Sequence, residues 1–557
     1  MLWQQVYHPR DNTPTRFTLT RFTQDRLAPP MSQSNARVFD PASPASRTAV
    51  AAASLLLLGG VLSVVLFAAM RTPLKDDIAW LLYVARRWMA GRALYVDVVE
   101  VNPPLIVWIS AIPIQLGALF GVDPQRIAMP FFIVSVLGCA WWTAVLLRVR
   151  GGLFADRVPV FALIASVLLV VPAGDLGQRE HLLVAAMLPY LLLFAGTLDG
   201  VRPKLASALC AGVIAGLGCA LKPRYAGVFV ALEGVALLHG LRPWRAMPLA
   251  AAATMLAYGG TVALICPAYL ARAVPLALAL YGGTDVPFTQ LLVDSGLLIA
   301  GEIVALLLWR QARRDLPERN LLLALVVFAA ASTVVCFVDG KDWFYHRLPA
   351  TIVTVLALLC WAISTWLHRH TESRSFRLPM AMAGIAVMVF AVAAYQRLEP
   401  EVALAVDPEV TTVQKLERIV RQQHARTYIA FSEWIALGFP VVNNTGVAWA
   451  SRFDSMWALK GELWRARFDP AGTKEFPIRR WVTHDFIAGC PDIAVVDTRP
   501  EGTDYIRILS ASDPSFARVW SRYKEIAAFD GLTVYRRGKA GCIDPWVAAE
   551  ARVTASR

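Results

Sequence analysis

Two adjacent carboxylates, Asp76 and Asp77, stand just after the first long apolar run of the chain, at the head of the segment DDIAWLLYVARRWM. A carboxylate in such a place can take a proton from a hydroxyl, which is general-base chemistry. Acids in the first turn of a helix also complement its dipole, so the pair alone leaves both roles open. Three further polar clusters interrupt the apolar sequence. The stretch 174–181 brings Asp175, Gln178, Arg179, Glu180 and His181; Lys222-Pro223-Arg224 follows another apolar run; and Gly340–Arg347 packs Lys341, Asp342, Tyr345, His346 and Arg347 into one short stretch. Each also has a plain role as a polar turn or an interfacial, snorkelling cation. Taken together they offer a base and a set of cations. That combination suits displacement of a phosphate leaving group, whose growing negative charge the cations stabilise in the transition state.

These groups must be positioned by membrane helices. The chain of 557 residues is 57% hydrophobic and only 17% charged, with a mean hydropathy of +0.50. Such an apolar share belongs to an integral membrane protein. The net charge of +13 does not imply a nucleic-acid partner, because the arginines cluster in short loops between apolar runs, as the positive-inside rule requires. Runs near the ~20 residues that cross a bilayer are expected at about 48–70, 127–147, 158–173, 181–198, 205–221, 225–240, 247–266, 291–309, 321–338, 348–367 and 379–396. The apolar segment 104–120 is read as a helix lying at the interface. With that choice the loops at 148–157, 199–204, 241–246, 310–319 and 368–377 all face the cytoplasm, each with at least two Arg or Lys.

The expected fold is therefore a polytopic α-helical membrane protein of about eleven spans with a C-terminal soluble α/β domain. Residues 1–47 read as a disordered cytoplasmic segment, in which Met31 is an alternative start; 48–396 form the membrane domain with an external catalytic loop at 71–126; and 397–557 form the external domain. Within 71–126 the period predicts an amphipathic helix with Ile78, Leu81, Leu82, Ala85, Trp88 and Met89 on one face, then a turn at Tyr95–Asp97. In the C-terminal region, strands are expected at Tyr428–Phe431, Ile493–Val496 and Leu532–Tyr535, and helices at 408–425 and 514–526. The cysteines show no metal-ligand spacing; Cys490 and Cys542 could pair in an oxidising compartment. This topology places all the polar clusters on one external side and leaves mainly arginine on the other, which argues for an external active site.

The order of first span, external loop with adjacent acids, Leu-Tyr-x-Asp turn and x-Pro-Pro-Leu into an interfacial helix resembles the C-type, polyprenyl-phosphate-sugar-dependent glycosyltransferases. That superfamily includes lipid A aminoarabinose transferases and protein O-mannosyltransferases. Asp76-Asp77 resemble the family's Asp-Glu pair, Asn102-Pro103-Pro104-Leu105 its x-Pro-Pro-Leu, Arg179-Glu180 its Arg-x-Asp segment, and Lys222 the lysine after its fifth span. The resemblance is clearest over about 70–225. It departs from the pattern in its second acid, Asp77, and in Glu180 followed by His181.

The resemblance implies inverting transfer of a sugar from a polyprenyl phosphate to an acceptor hydroxyl on the periplasmic face of a bacterial inner membrane. Asp76 would be the base, with Asp77 and Glu180 as further catalytic residues. Arg179, His181, Lys222, Arg224, Tyr345, His346 and Arg347 would bind substrate, the cations holding the lipid phosphate. Asp76, Glu180 and His181 are the candidates for a divalent metal such as Mg or Mn. The acceptor, whether lipid, glycan or protein, is left open, and the C-terminal domain would cover the site and help select it. The competing reading is a transporter or flippase for a lipid-linked or envelope substrate. Transporters tend to have repeated halves and midplane sites, neither of which the sequence displays.

Overall fold

The computed structural model describes residues 44–148, 154–311, 318–367, 377–407, 411–470, 472–500 and 502–538. Apart from Pro44–Arg47, the segment 1–47 lies outside them, as does Cys542. Each expected apolar run is found on a helix. In chain order these are α1 (Pro44–Arg71), α2 (Asp76–Met89), α3 (Pro104–Phe120), α4 (Pro124–Leu147), α5 (Arg157–Val170), α6 (Arg179–Leu198), α7 (Leu205–Leu221), α8 (Ala226–Leu238), α9 (Ala246–Ile265), α10 (Val274–Leu280), α11 (Phe288–Asp294), α12 (Gly296–Gln311), α13 (Arg319–Asp339), α14 (Phe344–Leu367) and α15 (Arg377–Val406).

Among the described residues six helices are long and apolar enough to cross a membrane, at 47–71, 124–147, 179–198, 246–265, 319–339 and 344–364. A seventh span arises if the pair 269–284 and 288–294, bent by 75°, counts as one. Pro104–Phe120, Arg157–Val170 and Leu205–Leu221 are shorter apolar helices. The expected run at 291–309 is divided between α11 and α12 at Ser295.

The amphipathic helix is found as α2, but its buried face is Ile78, Ala79, Trp80, Leu81, Leu82, Val84 and Ala85. Trp88 and Met89, expected on that face, are 36% and 44% exposed. Both lie in the last turn of α2, which ends at Met89.

The C-terminal region builds a five-stranded sheet in the order β2-β1-β3-β5-β4. Its strands are β1 (Thr427–Phe431), β2 (Ala448–Trp449), β3 (Ile493–Asp497), β4 (Tyr523–Phe529) and β5 (Leu532–Arg537). β1 pairs in parallel with β2 and β3, while β5 is antiparallel to β3 and β4. The helices of this region are α16 (Thr412–Gln422), α17 (Val441–Thr445), α18 (Trp457–Arg465), α19 (Ile478–Gly489), α20 (Tyr505–Ser512) and α21 (Pro514–Trp520).

The helix expected over 514–526 ends at Trp520, and from Tyr523 on the chain belongs to β4. The cause lies just downstream. Asp530 and Gly531 both have positive φ, at 52° and 71°, which suits a tight hairpin and joins β4 to β5.

The sheet region and the membrane helices share one apolar cluster. Trp80, Val84, Tyr95, Ile106, Leu276 and Leu280 pack in the same body as Phe431, Phe439, Phe453, Trp457 and Leu459. Two polar ties cross the same boundary: the Val99 amide donates to the Arg452 carbonyl at 2.8 Å, and Asn443 Nδ2 donates to the Ala79 carbonyl at 3.0 Å. The acid-headed helix is thereby clamped from the C-terminal side.

Candidate active site

The start of α2 carries Asp76 and Asp77 to the wall of a cavity of about 830 Å³. Asp76, the first residue of α2, accepts from the adjacent Asp77 amide at 3.0 Å. Its side chain also stands 3.8 Å from Lys75 Nζ and keeps some exposure to the cavity. Burial and the neighbouring Asp77 charge push the Asp76 carboxyl up to about 6, against the pull of Lys75. Asp77 accepts from Gln178 Nε2 at 3.0 Å. The turn that presents Gln178 depends on Gly177, whose φ is +89° and whose added Cβ would lie 2.8 Å from the Phe132 ring.

Glu100 completes this side of the cavity. It is buried and receives Trp80 Nε1 at 2.5 Å, the Asn102 amide at 2.7 Å and Asn102 Nδ2 at 2.5 Å. All three donors are neutral, and burial raises its pKa. Asp454, from the loop before α18, lines the same cavity. Burial, with the charges of Glu100 and Asp77, holds it near 8.

Arg179 opens α6 and is the buried cation of the cavity wall. Its Nε makes no hydrogen bond and lies 3.9 Å from Glu180 Oε2, and its guanidinium sits 6.0 Å from the Tyr345 ring centroid. A buried guanidinium in a cavity wall suits an anionic ligand group.

The next residue, Glu180, is excluded from the cavity lining and sealed in an ion network. Lys222 Nζ lies 2.6 Å from Glu180 Oε1 and 2.7 Å from Asp339 Oδ2. Arg224 Nη1 pairs with Asp339 Oδ1. His346 Nδ1 is 3.0 Å from Asp339 Oδ2 and 3.1 Å from Lys222 Nζ, and one ring nitrogen can serve only one of these at a time.

The sequence candidates therefore separate into groups. Asp76, Asp77, Arg179 and Tyr345 line the cavity. Glu180, Lys222, Arg224 and His346 meet in the ion network. His181 is buried, with its Nδ1 accepting from the Gly177 amide at 3.1 Å. Arg347 donates to the Asp342 carbonyl at 2.9 Å. Among the described residues no three His, Cys, Asp or Glu groups converge as metal ligands; Glu180 is held by Lys222 and His181 by the amide of Gly177. Asp76, Glu180 and His181 do not fit a shared ion.

Residues that sequence reasoning missed come mainly from the C-terminal half. Arg397 of α15, Glu433, Trp434, Asp454, Trp457, Lys460 and Arg499 all line the cavity. None sits in a motif; packing of the sheet region against α2 brings all but Arg397 there, and α15 carries Arg397 to Asp175.

A second, more apolar groove of about 430 Å³ adjoins the cavity. Val65, Ala68, Leu74, Met129, Leu169 and Leu404 contribute its apolar wall. Lys75, Asp76, Asp175, Arg397 and Trp434 line both spaces. At this junction Asp175 lies 3.7 Å from Lys75 and 3.2 Å from Arg397.

In the C-terminal layer, Cys490 is disulfide-bonded.

No protein-family model matches this chain, and no curated protein matches it. Among solved structures it is similar to the crystal structure of ArnT from Cupriavidus metallidurans bound to undecaprenyl phosphate. The TM-score is 0.50 at 14% identity, covering 87% of this chain and 98% of that one. The likeness is one of fold: the chain shares the fold of that ArnT structure.

Proposed function

We propose that this protein is an inverting membrane glycosyltransferase that moves a sugar from a polyprenyl phosphate to an acceptor hydroxyl, with Asp76 as general base. The observation that carries the proposal is the position of Asp76 at the junction of an apolar groove and a polar cavity. A lipid-borne donor needs both spaces, one for the chain and one for the sugar, with the reacting carbon between them. The shared fold with an undecaprenyl-phosphate-bound ArnT supports the same reading.

In the reaction, the Asp76 carboxylate removes the proton of the acceptor hydroxyl. The acceptor oxygen then attacks the anomeric carbon from the face opposite the phosphate. The bond between that carbon and the phosphate oxygen breaks, and its electron pair leaves with the polyprenyl phosphate. Its departing charge meets Arg179, with Lys75 and Arg397 at the groove mouth, so no general acid is required. Lys222, Arg224 and His346 contribute from behind, through the network on Glu180 and Asp339 that anchors the start of α6. Asp77, held by Gln178, keeps the Asp76 carboxyl above its ordinary pKa and orients the head of α2. The metal candidates do not converge, and no step is routed through an ion.

In this reading the eleven helical runs cross or enter the bilayer with the N-terminus cytoplasmic. The site and the C-terminal layer face the periplasm of a bacterial inner membrane. The test is transfer from a radiolabelled polyprenyl-phosphate sugar by the full-length protein in lipid nanodiscs. Asp76→Asn should abolish transfer while donor binding persists; transfer retained by that variant would remove the base assignment.

A further inference from the structure

Beyond the residues it shares with the groove, the cavity has a wall of its own. Tyr281, Asp285, Trp343, Asp454 and Trp457 line the polar cavity but not the apolar groove. They form an aromatic corner. The Tyr281 ring meets Trp457 edge-on at 5.3 Å and Trp343 at 6.3 Å. Trp343 stacks on Tyr345 at 5.9 Å yet stays 37% exposed, so part of the indole remains open. The corner exists because the 3-10 turn Tyr281–Thr284 lies directly against α18. A Cβ on Gly283 would come within 2.7 Å of Gly461 Cα, and one on Gly461 within 2.2 Å of the Leu280 carbonyl oxygen.

We infer that this corner binds the acceptor and that the acceptor is a carbohydrate, an assignment that rests on the transfer reading above. A sugar ring has an apolar C–H face and a rim of hydroxyl donors. The exposed indole of Trp343 suits the face, and the carboxyls of Asp454 and Asp285 accept from the rim. Burial and the Glu100 and Asp77 charges hold Asp454 near 8, so beside Asp285 it offers the rim a donor as well as an acceptor. A purely apolar acceptor would leave the same carboxyls desolvated and unmatched. The donor side is occupied separately, by the groove that opens at Lys75 and Asp76.

The experiment uses full-length protein in nanodiscs, loaded with radiolabelled polyprenyl-phosphate sugar and offered a soluble envelope extract from the cells that make the protein. Label should pass to the extract after proteinase K digestion and should not pass after periodate oxidation, which destroys sugar diols. Trp343→Ala should raise the acceptor KM at least tenfold, with Trp343→Phe recovering most of the loss. Hydrolysis of the donor by water should stay within twofold in both. Labelling lost to proteinase K and retained after periodate would overturn the inference in favour of a protein acceptor. An unchanged acceptor KM in Trp343→Ala would also overturn it. Failure of the wild-type protein to bind or hydrolyse the donor would strike the transfer reading instead, and is scored in the donor arm alone.

Discussion

Lys222 Nζ sits 2.6 Å from Glu180 Oε1 and 2.7 Å from Asp339 Oδ2, bridging two carboxylates from α6 and α13. The lysine that follows α7 is thereby committed to holding helices together, while Arg179 is a buried cation that lines the cavity.

Removing one partner from a buried ion pair leaves the others uncompensated. Lys222→Met should therefore destabilise the protein by about 3–5 kcal/mol, read as a lowered midpoint of thermal unfolding in detergent. Glu180→Gln in the same chain should recover part of the loss. Equal stability of Lys222→Met and wild type would refute the structural role.

Arg179 should act on donor affinity. Its guanidinium offers a planar set of donors that a lysine cannot copy. Arg179→Lys should weaken binding of a polyprenyl phosphate by roughly 10- to 100-fold, the equivalent of about 1.5–3 kcal/mol for hydrogen bonds to a charged group. Scintillation proximity binding in nanodiscs reads this directly. Unchanged affinity would move the phosphate elsewhere.

The pH profile follows from Asp76, whose carboxyl is raised to about 6 by burial and by Asp77. The base works only when deprotonated, so transfer at saturating donor should rise with pH through about 6 and then level. Lys75 favours the charged form, and Lys75→Met should shift the rising limb to higher pH. A limb that stays in place in Lys75→Met would assign it to another group.

Gly461→Ala tests the close approach that builds the aromatic corner. The new Cβ would stand 2.2 Å from the Leu280 carbonyl oxygen, and backbone must move to relieve it. Overpacking of this kind costs about 1–3 kcal/mol. Displacement of the Tyr281–Thr284 turn should also raise the acceptor KM more than it lowers donor hydrolysis. Wild-type stability and KM together would show that the turn and α18 are not in contact.

Much of the architecture was legible in the chain itself. Apolar length places the helices, because a lipid-facing backbone must satisfy its hydrogen bonds internally. The period of Ile78, Leu81, Leu82 and Ala85 announces α2, and Asp76-Asp77 mark its head as a place for chemistry. Local patterns carry this information because their causes are local. The hairpin at Asp530-Gly531 was readable for the same reason, although the helical reading of 514–526 passed over it.

Which charges face the cavity was decided only in three dimensions. Arg179 and Glu180 are adjacent in sequence and share a helical turn, yet one lines the cavity and the other is sealed against Lys222. Asp454 and Trp457 carry no motif and lie more than 350 residues from Asp77 by their numbering. They reach it because the sheet region buries Phe439, Phe453 and Leu459 in the same apolar cluster as Trp80 and Val84. Residue type and spacing show which groups can ionise or bind; how deeply each is buried, and which partner claims it, depends on packing between distant segments. For Lys222 that partner is a pair of carboxylates; Arg179 lies 3.9 Å from Glu180 and lines the cavity as well.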